Sequence, residues 1–85
     1  ALKAVTITQE RVAAESLAKS QMESIKSQDY DDTEPYEYAE ITDIPEGYDI
    51  DIQIEEIADG LQRVTVTVTK DEQQLLQVTD YKVNR

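Results

Sequence analysis

Two stretches in the second half of the chain alternate strictly between apolar and polar residues. In residues 48–55, Ile50, Ile52 and Ile54 take every second position; in residues 62–69, Val64, Val66 and Val68 do the same. A period of two places one row of side chains against a core and the other in water, so each stretch predicts a half-buried strand. Asp59-Gly60 between them supplies hairpin chemistry. Residues 70–73 are polar and predict a second turn, with a third strand over residues 75–83. That strand has a divided face: Leu76 and Val78 point one way, Leu75, Tyr81 and Val83 the other. Either a bulge or a change of environment late in the strand would reconcile them.

The first 28 residues follow a different period. They hold no Gly or Pro, and at about 100° per residue Ile7, Ala14, Leu17, Ala18, Met22 and Ile25 share one sector. This predicts one long helix with its core face on the sheet. A second apolar sector, Leu2, Val5 and Val12, has no obvious use in a small monomer; it is either ordinary scatter of apolar residues on a surface or the candidate assembly surface, facing neighbouring copies or a lipid boundary. Residues 1–5 include no Ser, Thr, Asp or Asn to cap a helix start. The helix is therefore expected to be running already at Ala1 and to continue a longer upstream one. Residues 29–47 have no clean period and carry both prolines, predicting a long connection with a short strand at residues 36–41. Tyr30, Tyr36, Tyr38 and Tyr48 are expected to lay their rings on the fold and leave their hydroxyls wet. The expected fold is a single α+β domain over residues 1–85, with a long N-terminal helix packed on a three- to four-stranded antiparallel meander.

Charge sharpens this outline. The net charge is −11, and 13 of the 19 acids lie between Asp29 and Asp59, a span with no basic residue. Such a surface repels phosphate backbones, so nucleic acid is not an expected partner. This stretch alone is expected to be a monomer. With no Cys and no His, the chain lacks the commonest nucleophile–base pairs and the commonest transition-metal ligand. Asp31-Asp32-Thr33-Glu34 has no Gly after the Thr and does not match an aspartic-protease half-site. The residues thus point to a non-enzyme that needs no cofactor. The candidate ligand is calcium, through Asp29, Asp31, Asp32 and Glu34, four carboxylates in six residues. The set lacks the central Gly and terminal Glu of an EF-hand loop, and a solvated acidic loop is the simpler account of it.

A helix, a variable loop and an antiparallel meander, in that order, resemble the extracytoplasmic part of type IV pilin-like proteins, above all the minor pseudopilins of type II secretion systems. The residues carrying the likeness are Ala14-Glu-Ser-Leu-Ala-Lys-Ser-Gln-Met-Glu-Ser-Ile-Lys26 with Asp29-Tyr30, then Gly47-Tyr48-Asp-Ile, Asp59-Gly60-Leu61, Val64-Thr-Val-Thr-Val and Thr79-Asp-Tyr-Lys82. The likeness spans most of the chain and rests on order and spacing. The family's leader junction, a Gly followed by Phe-Thr-Leu-x-Glu that opens an apolar span, does not occur in these residues. Processing, methylation and membrane insertion therefore find no support in this sequence.

The resemblance implies a filament subunit held in the bacterial cytoplasmic membrane by an N-terminal helix upstream of Ala1, with its head on the extracytoplasmic side. Its partners would be other pseudopilin or pilin subunits, met through Leu2, Val5 and Val12. Some members of the wider family bind calcium, without a ligand set that matches residues here. The alternative is a soluble acidic binding domain, either a calcium-dependent adhesive head or a cystatin-like inhibitor. Cystatin-like inhibitors use a Gln-x-Val-x-Gly wedge, and Gln62-Arg-Val-Thr-Val lacks its Gly.

Overall fold

A computed structural model describes residues 9–84. One helix, α1 (Gln9–Ser27), precedes three strands: β1 (Tyr48–Ala58), β2 (Leu61–Lys70) and β3 (Gln73–Val83). The strands form an antiparallel meander in the order β1-β2-β3, and among the described residues the sheet has three strands and no fourth. The Ile and Val rows pair across it: Ile50 with Val68, Ile52 with Val66, Ile54 with Val64. β2 is the central strand, and its Val-Thr alternation suits that place, because β-branched side chains pack well on a pleated surface.

Both hairpins are tight. Gly60 adopts φ +77°, a left-handed conformation that costs glycine nothing, beside a register shift between Glu56 and Ala58. At the β2–β3 turn Asp71 and Glu72 take positive φ values of 50° and 70°. Two successive left-handed residues match the right-handed twist of a hairpin, though Asn-Gly is the usual choice. The divided face of β3 is resolved by a shift between Val68 and Thr69: Val68 pairs with Leu76 and Thr69 with Gln74, which leaves Leu75 as the extra residue. Leu75, Leu76 and Val78 all pack on the core, while Tyr81 and Val83 are exposed.

The helix lies over β2 and β3. Ala14, Leu17, Ala18, Met22 and Ile25 meet Val64, Val66, Val68 and Ile50 in one core. The expected helix sector is thus the buried one, except for Ile7, which falls outside the described residues. Tyr38, Ile41 and Ile44 of the connection pack against the same core. Residues 36–41 form no strand, contrary to the sequence expectation; they are held by side chains instead of a ladder.

Candidate assembly and binding surfaces

The connection is anchored by three glutamines, of which Gln21 and Gln62 are fully buried, and one lysine. Gln21 on α1 and Gln28 just beyond its end both reach Ala39. Gln28 Nε2 donates to the Ala39 carbonyl at 3.1 Å, and its Oε1 accepts from the Ala39 amide at 2.8 Å. Gln21 Nε2 donates to the same carbonyl at 3.1 Å while its Oε1 accepts from the Ile41 amide at 2.9 Å. A carboxamide offers the same donor and acceptor pair as a peptide group, so the two glutamines replace a neighbouring strand. Gln62, fully buried in β2, completes the clasp. Its Nε2 donates to the Asp31 carbonyl at 2.6 Å and its Oε1 accepts from the Tyr38 hydroxyl, which itself accepts from the Asp31 amide.

Lys82 ties the last strand to the end of the helix. Its Nζ donates to the carbonyls of Ile25 at 2.7 Å, Lys26 at 3.1 Å and Gln28 at 2.6 Å. The last four carbonyls of a helix have no partner within it, and the helix dipole places partial negative charge there. One ammonium with three donors satisfies two of those carbonyls and that of Gln28 just beyond the helix. The ammonium also stands 5.4 Å from the Tyr38 ring centroid, and burial lowers the Lys82 pKa. Beside it, Lys26 pairs with Asp80 at 2.8 Å.

Sequence reading missed these polar positions, although parity contained them. Gln62 shares its parity with Val64, Val66 and Val68, Lys82 with Leu76 and Val78, and Gln21 lies in the helix core sector. A polar residue in an apolar row is the signal, and it marks a satisfied buried group more often than an error in pattern.

The tyrosine hydroxyls also depart from expectation. Tyr38 is bonded as above, Tyr36 donates to Glu56 at 3.0 Å, and the Tyr30 hydroxyl is enclosed with no hydrogen-bond partner. The Glu56 hydrogen bond, with burial and the charges of Glu56 and Glu34, pushes the Tyr36 pKa up to about 12. Burial raises Tyr30 and Tyr38 as well. An acid whose pKa rises on folding contributes stability below its unfolded value of about 10, and that stability is lost as pH climbs through the folded value. Lys82 acts in the opposite sense, gaining stability as it deprotonates below 10.5, but three tyrosines oppose it. The melting temperature should therefore fall between pH 10 and about 12, and Tyr36→Phe should flatten that fall in circular dichroism melts.

Of the candidate calcium ligands, Asp31 is committed to the chain itself. Its Oδ2 accepts from the Glu37 amide at 2.8 Å and its Oδ1 from the Thr33 amide at 3.1 Å. These bonds hold its carboxyl below the usual carboxylate range, the Glu37 bond most strongly. Asp32 accepts from the Thr33 hydroxyl, and Asp29 borders a separate cleft near Lys82. Among the described residues, no group of three or more acidic side chains converges as a metal site. Asp29, Asp31, Asp32 and Glu34 are thus neighbours in sequence that the loop does not gather around one point.

Of the candidate assembly residues, Leu2 and Val5 fall outside the described residues. Val12 is on α1 and is 52% exposed, away from the core sector. The segment compared with an inhibitor wedge, Gln62-Arg-Val-Thr-Val, lies inside β2 with Gln62, Val64 and Val66 buried. Its alternate side chains face the core and are not displayed at a hairpin tip.

No helix among the described residues is long and apolar enough to cross a membrane. No family model matches the chain, and no characterised protein or solved structure is significantly similar to it.

Proposed function

We propose that this chain is the head of a non-catalytic filament subunit, a minor pseudopilin or type IV pilin. It would be anchored by an upstream helix to the bacterial cytoplasmic membrane and face its extracytoplasmic side. The observation carrying this reading is Val12: a large apolar side chain left in water on a helix whose core face is complete without it. The order of helix, long connection and meander supports it, as does the absence of His and Cys for catalysis. Work in such a subunit is done by packing, with α1 against neighbouring helices and the head outside.

The test is Val12→Cys in the full-length protein within its native cell. Cross-linking is expected to yield ladders of this protein or of heavier partner subunits, depending on the membrane fraction. Val12→Asp should abolish the assembly while changing head stability by less than about 0.5 kcal/mol, as is usual for an exposed site. A full-length chain with no upstream apolar helix and no Val12 cross-link would overturn the proposal.

A further inference from the structure

The two edges of the sheet are built differently. β1 carries Asp49, Asp51, Glu55 and Glu56, and a register shift interrupts its far end. Charges and irregularities of this kind keep an edge from pairing with other chains. β3 runs for 11 residues with Asp80 as its one carboxylate, and its one cation, Lys82, is turned into the helix end. It is the less protected edge.

Hydrogen bonds fix which peptide groups of β3 face away from β2. The Asn84 amide donates to the Gly60 carbonyl at 2.8 Å, so the even-numbered positions in register with it bond β2. The Tyr81 amide instead donates to Asp80 Oδ1 at 2.8 Å, which places the odd-numbered positions on the open side. In an antiparallel ladder the two orientations alternate, so the amides and carbonyls of Gln77 and Thr79 point outward as well. Both ends of this row are closed. Arg11 Nη1 donates to the Leu75 carbonyl at 2.9 Å, and Asp80, held by Lys26, takes the Tyr81 amide. Between these ends the described residues place no cap on Gln77 or Thr79. The same stretch lacks apolar cover: Leu76 and Val78 are half-buried, whereas Val64, Val66 and Val68 of β2 are fully buried. A groove of 510 Å³ separates β3 from α1 here, with Ala18, Lys19 and Met22 on one wall and Leu76, Val78 and Thr79 on the other.

We propose that the β3 edge between Leu75 and Tyr81 receives an extended segment of another protein as a fourth strand, antiparallel to β3, with alternate apolar side chains turned into the groove beside α1. One added strand meets both deficits at once. Its backbone pairs with the outward groups of Gln77 and Thr79, and its inward side chains cover Leu76 and Val78. In strand addition the main-chain bonds supply affinity and the pockets for alternate side chains supply specificity. The closed ends at Leu75 and Tyr81 limit the site to a short segment, and the lack of carboxylates on the open stretch suits an uncharged one. A second copy of this chain is the poorer occupant, because it brings another net charge of −11 and its β1 edge is acidic. Val12 does not line the groove, so this inference goes beyond the filament reading and stands or falls separately from it.

The test begins with hydrogen exchange by NMR on the ¹⁵N-labelled protein. The Gln77 and Thr79 amides are expected to exchange fast while those of Val78 and Asp80 are protected. The protein is then titrated with the capped peptide Lys-Thr-Val-Thr-Val-Thr-Lys and with its fully N-methylated version, which keeps the charge and side chains but cannot donate. Shifts from the first peptide should centre on Gln77, Val78, Thr79, Ala18 and Met22, with the Gln77 and Thr79 amides becoming protected. Thr79→Pro removes an outward donor without touching the ladder to β2, a place where an edge strand tolerates proline. It should weaken binding at least about tenfold, the scale of one lost hydrogen bond, while the melting temperature holds. Protected Gln77 and Thr79 amides in the free protein, no saturable shifts at millimolar peptide, equal binding of the N-methylated peptide, or shifts along β1 would overturn the proposal. Concentration-dependent dimerisation abolished by Thr79→Pro would also overturn it, by making a second copy the occupant.

Discussion

Replacing Lys82 by Met is expected to destabilise the domain by about 2–4 kcal/mol, the largest effect of any single polar substitution here. The ammonium makes three hydrogen bonds, to the carbonyls of Ile25, Lys26 and Gln28, and only 5% of the residue is exposed. Hydrogen bonds to a charged group contribute roughly 1.5–3 kcal/mol each, but burying the ammonium costs part of this, as its lowered pKa records. Methionine fills similar volume and leaves the three carbonyls without a donor. At roughly 4–8 °C per kcal/mol for a domain of this size, the melting temperature should drop by about 10–25 °C. Lys82→Arg should recover only part of the loss, because a planar fork does not present three donors around one point. A drop smaller than about 4 °C in the Met variant would mean that water already serves these carbonyls.

Gln62→Leu is expected to cost about 2–3 kcal/mol. The substitution conserves size, so the loss is that of two hydrogen bonds at a fully buried site. The Asp31 carbonyl loses its donor and the Tyr38 hydroxyl loses its acceptor. Tyr38→Phe removes one of the same bonds, so the double variant should be less destabilised than the sum of the singles, by about 1 kcal/mol. Urea unfolding of the four proteins gives this coupling directly. Additive losses would show that Gln62 and Tyr38 hold the connection independently. Hydrogen exchange at Ala39 and Ile41 provides a second measure: their amides are bonded to Gln28 and Gln21, so Gln62→Leu should leave them protected if each clasp closes by itself.

The candidate surfaces were only partly legible before the fold was known. Val12 could be singled out by helical periodicity alone, and the structure places it in water. Asp29, Asp31, Asp32 and Glu34 could be singled out by type and spacing. Their separation depends on where the loop sends each side chain, and spacing does not encode that. Asp31 turns inward because the Glu37 and Thr33 amides need acceptors. Tyr81 and Val83 could be placed together on one of the two faces of an ambiguous third strand. Which face was wet depended on the bulge at Leu75.

Periodicity alone determined the helix core sector, the two alternating strands and the Asp59-Gly60 hairpin. Those follow from local geometry, in which 3.6 residues per helical turn and two per strand repeat decide which side chains share a face. The three-strand limit of the sheet, the glutamine clasp on Ala39 and the lysine cap on the helix end were decided only by tertiary structure. Each pairs groups far apart in the chain, Lys82 with Ile25 and Gln62 with Asp31. Such pairings depend on which buried carbonyls and amides remain unsatisfied once the elements have packed, and no local pattern records that.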